Sequence, residues 1–186
     1  MNLLNYLESL IPVSVPLKQE LSGMTERILV KKNQHILEIG ERCRDLFFIE
    51  KGLLRGYYFN EGKDITNWFA QEGEFATCFY SFIAQKAAFE NIQTIEDMEL
   101  IRIPYDKLQS LYKNFPETER IGRIITETYY IKLEERLLSI QFKSAKERYQ
   151  HLIDSKSTLL QRASLGQIAT YLGISQETLS RMRADL

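Results

Sequence analysis

The stretch "ASLGQIATYLGISQETLSRMRADL", residues 163–186, decides how the chain is read. Leu165, Ile168, Ala169 and Leu172 recur at helical spacing and put an apolar face on one short helix. Gly173 follows as a turn residue, and Ile174 and Leu179 are spaced to hold a second helix onto the first. Ser164 with Gln167 opens the first helix as a capping box, and Ser175 is a good N-cap for the second. A short helix, a glycine-containing turn and a second helix set across it make a helix-turn-helix.

The outer face of the second helix carries side chains that hydrogen-bond in defined directions. Gln176 can pair with adenine, Glu177 can accept from the cytosine amino group, and Arg181 can fork onto guanine. Ser164, Ser175, Thr178 and Ser180 are short donors suited to phosphate oxygens, and Arg183 adds a phosphate-directed charge. The plainer reading is a helical hairpin that caps the fold with a solvated face. Solvated faces favour Lys and Glu over this mixture, so the expectation is double-stranded DNA. Charge points the same way: from Lys143 to Leu186 seven Lys/Arg stand against four Asp/Glu, although the whole chain is at −1.

Upstream, helix is expected to start at Pro116, a residue tolerated at a first helical position, and to run to about Gln141. Ile121, Ile124, Thr128, Ile131, Glu135 and Leu138 form one stripe, and Tyr130, Leu133, Leu137 and Ile140 a second. A helix apolar on two sides is buried on two sides. Either two parts of its own chain enclose it, or one stripe meets a twin helix in a homodimer. Ser144 and Glu147 make a capping box for a further helix.

From Val30 to about Pro104 the pattern changes to short strands: "HILEIGE", "DLFFIEKG", "LLRGYYF", "DITNWFA", "FENIQTIED" and "MELIRIP". "YYFNEGKDITNWF" reads as a hairpin with its tip at Asn60 to Lys63. Such runs fit a small β-sandwich or barrel. Residues up to about Leu29 read as helix broken at Pro12 and Pro16, and Pro104–Tyr112 as one short helix.

At 44% hydrophobic and 26% charged, the 186 residues are those of an ordinary globular chain and not a disordered one. Cys43 and Cys78 are two isolated thiols, the opening "MNLLNYLESLIPVSVP" lacks a basic leader, and no run could span a bilayer. A cytoplasmic protein with no membrane partner is expected. No nucleophile sits beside a base, no glycine-rich phosphate loop is present, and the only histidines are His35 and His151. A cupin-like metalloenzyme needs a cluster of metal ligands, so catalytic residues and a metal site are not expected.

"GERCRDLFFIEKGLLRGYY" (40–58), "EGEF" (72–75) and "LGISQETLSR" (172–181) together resemble the Crp–Fnr family of bacterial transcription factors, most closely its compact Bacteroidetes versions. Glu177, Thr178 and Arg181 match that family's recognition-helix pattern, and Gln176 stands where it usually has a basic residue. The resemblance runs nearly end to end and implies an α+β fold. Residues 1–115 would be an antiparallel, jelly-roll-like β-roll of the cyclic-nucleotide-binding type with an N-terminal helix. Residues 116–142 would be a long dimerisation helix, and 143–186 a helix-turn-helix domain. It further implies a homodimer on a pseudo-palindromic operator, with RNA polymerase as a further partner, and a hinge near Phe142–Ser144. The sequence stops after the recognition helix, so the wing that relatives build beyond it is not expected. The competing reading is a ligand- or protein-binding β-roll whose terminal helices are vestigial.

Relatives that bind cyclic nucleotides carry Gly-Glu and then Arg-Ser or Arg-Thr in the cassette corresponding to "GEFATCFYSFIAQKAAFENIQ" (73–93). Thr77 and Cys78 replace the first pair, and Ala87, Ala88, Phe89 and Glu90 occupy the arginine region. A buried phosphate would meet a carboxylate there, with only Lys86 nearby, so the usual cyclic AMP site is not expected. The candidate effector lining is Trp68, Phe75, Cys78, Phe79, Tyr80 and Phe89, with the effector itself unassigned; core packing is the plainer role for such aromatics. Two cysteines cannot supply an iron–sulfur cluster with four thiolates.

Overall fold

A computed structural model describes residues 2–184; the outermost positions of the first and last expected segments, residues 1, 185 and 186, lie outside the described residues. Two four-stranded antiparallel sheets face each other, in the orders β1-β8-β3-β6 and β2-β7-β4-β5. The first holds β1 (Glu26–Val30), β3 (Asp45–Lys51), β6 (Phe75–Ala76) and β8 (Met98–Pro104). The second holds β2 (His35–Leu37), β4 (Leu54–Asn60), β5 (Lys63–Ala70) and β7 (Asn91–Thr94). Ile49, Leu54, Ile92 and Leu100, all fully buried, fill the space between them. The β4–β5 hairpin pairs Asn60 with Lys63, leaving Glu61 and Gly62 at positive φ as the two-residue turn expected from the sequence.

The N-terminal region differs from the sequence reading. Helices α1 (Leu3–Leu10) and α2 (Val15–Met24) flank the two prolines, but residues 26–30 are strand, not helix. Thr25 closes α2, and β1 then pairs along β8 from Glu26↔Arg102 to Val30↔Met98. Pairing with a distant strand settled that assignment, which local periodicity could not reach. Tyr6 of α1 packs its ring on Phe48 and Phe75, closing one end of the roll.

Helix α3 (Phe79–Ala84) follows β6 and precedes β7 along the chain, and α4 (Tyr105–Asn114) leads into α5 (Pro116–Phe142). At 27 residues α5 is about 40 Å long. Burial divides the helix along its length and not between the two stripes. Ile121 is buried and Ile124, Ile125 and Tyr129 pack on the roll, whereas Ile131 and Leu138 of the first stripe are exposed together with Tyr130, Leu133, Leu137, Ile140 and Phe142. The helix is therefore not enclosed on both sides by its own chain. One face is left for something else.

Beyond it come α6 (Ala145–Lys156), α7 (Leu159–Arg162), α8 (Leu165–Leu172) and α9 (Gln176–Ala184). The capping boxes of Ser144 with Glu147 and Ser164 with Gln167 both form. The four-residue α7 carries too short a pattern to have been read in advance. Among the described residues, no helix is long and apolar enough to cross a membrane.

Candidate nucleic-acid interface

Helix α8 ends because Gly173 adopts φ 67°, a left-handed conformation that glycine takes without a steric penalty. Ile174 N–H then donates back to the Ala169 carbonyl at 3.0 Å, fixing the turn. Arg148 braces the same corner, its Nε donating to the Leu172 carbonyl at 2.9 Å. Leu179, 0% exposed, seats α9 on Ile168, Ala169 and Leu172. These contacts leave one side of α9 outward.

That side holds Gln176, Glu177, Ser180, Arg181 and Arg183, all exposed, while Thr178 is half-buried. Among the described residues, the side chains of Gln176, Ser180, Arg181 and Arg183 make no hydrogen bond or ion pair within the chain. Ser175 caps the helix by accepting from Thr178 N–H at 3.1 Å, and its hydroxyl also lies 3.1 Å from that of Thr178. Ser164 is likewise exposed and accepts from Gln167 N–H at 3.2 Å. Its own backbone N–H and the Ser175 side chain hold the Glu177 carboxyl below its ordinary value. It is therefore an acceptor at neutral pH.

Helices α6–α9 do not hang from the end of α5. Leu53, Phe69 and Ile95 of the roll share an apolar cluster with Tyr149, Leu152, Leu159, Ile168 and Leu172. Phe69 stacks edge-on against Tyr171 at 5.2 Å, and Thr66 N–H donates to the Thr170 hydroxyl at 3.2 Å. Arg162 forks onto Glu72 at 2.8 Å and Glu96 at 2.7 Å, and Lys132 reaches Glu74 at 3.0 Å. The segment between α5 and α6, where a hinge was expected, is thus bridged on both sides by contacts between the helices and the roll.

The candidate effector lining does not form one chamber. Phe75 and Cys78 lie in the core, whereas Tyr80 (50%) and Phe89 (53%) are exposed and lean on each other at 5.5 Å. Phe79 packs on Tyr129 of α5 at 5.1 Å. Strand alternation and the turn of α3 point these aromatics in different directions, which a list of apolar residues in sequence cannot reveal. Of the six, Trp68 and Cys78 are brought together, around Glu90.

Glu90 is 3% exposed, and its Oε2 accepts from Trp68 Nε1 at 3.0 Å and Asn67 Nδ2 at 3.3 Å. Burial pushes its carboxyl up, and the bonds from Asn67, Trp68 and Cys78 oppose that shift. Burial, with the nearby Glu90 adding to it, pushes the Cys78 thiol up to about 12, so it is protonated at neutral pH and a poor nucleophile. Gly56 permits the arrangement, since a Cβ there would lie 2.2 Å from the Trp68 ring. No signal in the sequence marked Asn67 or Gly56 as partners of the cassette.

Removing a phosphate from water next to the buried Glu90 carboxyl is unfavourable. Cyclic AMP at millimolar concentration is expected to leave the unfolding midpoint where it was. A nucleotide bound at about 100 times its dissociation constant would add about 2.7 kcal/mol and raise the midpoint by several degrees. A scanning-calorimetry shift of that size would contradict this reading of the cassette.

Residues 27–115 match the family profile of the cyclic nucleotide-binding domain. The chain is 26% identical over 167 residues to the fumarate and nitrate reduction regulatory protein of Vibrio cholerae. That match takes in 82% of this chain and spans 65% of the length of the curated relative. In structure it is similar to FixK2 of Bradyrhizobium japonicum, with a TM-score of 0.76 and 19% identity over 87% of this chain and 84% of that one. A Eubacterium rectale protein assigned to the Crp/Fnr family gives a TM-score of 0.74 at 22% identity, covering 97% of this chain and 87% of that one.

Proposed function

We propose that the chain is a Crp–Fnr-type regulator, a sequence-specific, DNA-binding transcriptional regulator working as a homodimer, a reading supported by the cyclic nucleotide-binding profile and the likeness to Crp/Fnr proteins. The observation that carries this reading is the exposed face of α9, where Gln176, Glu177, Ser180, Arg181 and Arg183 stand clear while Leu179 anchors the opposite side. The α9 helix enters the major groove; Gln176, Glu177 and Arg181 read base edges. Ser164, Ser175, Thr178, Ser180 and Arg183 hold phosphates and set the register. The exposed stripe of α5 meets its twin in the second copy, which places two reading helices on the half-sites of a pseudo-palindrome. Residues 1–115 serve as the sensor, 116–142 as the dimer helix and 143–186 as the reading head. The regulator works without cyclic AMP, and an activating role would add RNA polymerase as a partner.

Arg181→Ala is expected to cost about 1–3 kcal/mol of binding and to relax discrimination at one position of each half-site. Titrating the variant against a panel of single-base operator variants by fluorescence anisotropy measures both effects. A uniform loss on every duplex would remove Arg181 from base reading. Absence of any steep salt dependence in the parent protein would favour the β-roll module with vestigial helices instead.

A further inference from the structure

From Tyr130 to Phe142 every residue of α5 is exposed except Arg136 and Ser139. Besides Lys132, which reaches Glu74, this half of the helix touches the rest of the chain, at the junction of roll and head, through Arg136. Its Nε donates to the Asn67 carbonyl of β5 at 3.1 Å, and its Nη2 donates to the Tyr171 carbonyl of α8 at 2.6 Å. The guanidinium also lies 3.9 Å from the centre of the Tyr171 ring. Among the described residues no carboxylate pairs with it. A half-buried cation without an anion depends on those two carbonyls and that ring to replace its water. Small displacements of either carbonyl therefore matter to it.

Asn67 supplies the other half of the connection. While its carbonyl holds Arg136, its side chain donates to the buried Glu90, and the next residue, Trp68, donates to the same carboxylate oxygen. Residues 67 and 68 of β5 are thus gripped from inside the roll by Glu90 and from outside by Arg136. One end of this line is the cassette where relatives of the cyclic nucleotide-binding type hold their ligand, and the other is the last turn of α8.

We infer that Glu90, Asn67, Arg136 and Tyr171 form a link through which the interior of the β-roll and the helix-turn-helix set each other's position. Its purpose rests on the regulator reading above, whereas its existence can be tested without DNA. A change that draws Glu90 away from Asn67 shifts the carbonyl that Arg136 uses, and Arg136 then loosens its hold on Tyr171. Because Arg136 sits on the helix that also carries Leu133 and Leu137, the same movement reaches the exposed stripe. Coupling of this kind must run in both directions.

The test reads each end while the other is disturbed. Glu90→Ala in the full chain is expected to make amide hydrogen exchange over residues 168–172 about tenfold faster, with β1 and β8 as protected as before. Asn67→Ala should do the same, and it substitutes should Glu90→Ala fail to fold. Arg136→Lys, which keeps the charge but cannot bridge two carbonyls, is expected to shift the emission of Trp68, the one tryptophan of the chain. Combining Glu90→Ala with Arg136→Lys should give exchange no faster than the faster single variant. Exchange in α8 unchanged by both cassette variants, Trp68 emission unchanged by Arg136→Lys, or rates that multiply in the double variant would overturn the link. Because DNA never enters the measurement, failure of the link and failure of the DNA-binding reading are separate outcomes.

Discussion

The double variant Leu133→Asp, Leu137→Asp is expected to sediment as a monomer and to bind a two-half-site duplex about 10²–10⁴-fold more weakly than the parent. Both side chains are exposed in the single chain, at 65% and 53%, on the face of α5 that none of the other described residues covers. Leucines at a helix surface are stabilised by a partner helix, and two aspartates in each of two facing helices bring four like charges together in an apolar seam. The loss on DNA follows from linkage. When two heads are joined, engaging the first half-site raises the effective concentration of the second head, and a monomer forgoes that gain. The substitutions lie far from the core, so the β-roll should unfold at its usual midpoint. Sedimentation velocity at micromolar protein reads the first effect and anisotropy the second. A variant that stays dimeric would move the interface to another surface.

Leu179→Ala is the second large effect. The side chain is fully buried where α9 meets α8, in a cluster with Leu159, Ile168, Ala169 and Leu172. Truncating a leucine so placed costs about 2–5 kcal/mol, the spread reflecting how far the neighbours can close the gap. Because α9 is a nine-residue helix, its order depends on this packing and not on intrinsic helix stability. Specific binding should therefore fall with stability while the dimer persists. Urea unfolding followed by circular dichroism measures the cost, and a change below about 0.5 kcal/mol would mean that α9 is not held by Leu179.

Features governed by nearby residues were legible in the sequence. Caps and turns depend on residues within three or four positions, so the boxes at Ser144 and Ser164, the glycine end of α8 and the hairpin at Glu61 and Gly62 could be found by spacing alone. The amphipathic face of α8 and the anchoring role of Leu179 were equally readable. Pairing between distant segments was not. β1 takes its identity from β8, some seventy residues on, and its own five residues are ambiguous between helix and strand. The cassette illustrates the same limit at the level of a site. Its replaced residues could be identified, but the direction of each aromatic could not, and Tyr80 and Phe89 turned outward.

Docking of the head on the roll was the least visible feature. Arg162 with Glu72 and Glu96, and Phe69 with Tyr171, are contacts between segments 66–102 residues apart, and nothing in either segment marks the other. Those contacts change the physical picture of regulation. Under the proposed regulator reading, a signal that redirects a head held by an apolar cluster and ion pairs has to overcome that packing.

The most direct test of the central claim is equilibrium selection from a randomised duplex pool by the purified dimer, with the enriched sequence then titrated at two salt concentrations. The expected product is a pseudo-palindrome whose half-sites lie about one helical turn apart, bound much more tightly than random duplex and more weakly at the higher salt. A folded, dimeric protein that enriches no sequence at either salt would contradict the account.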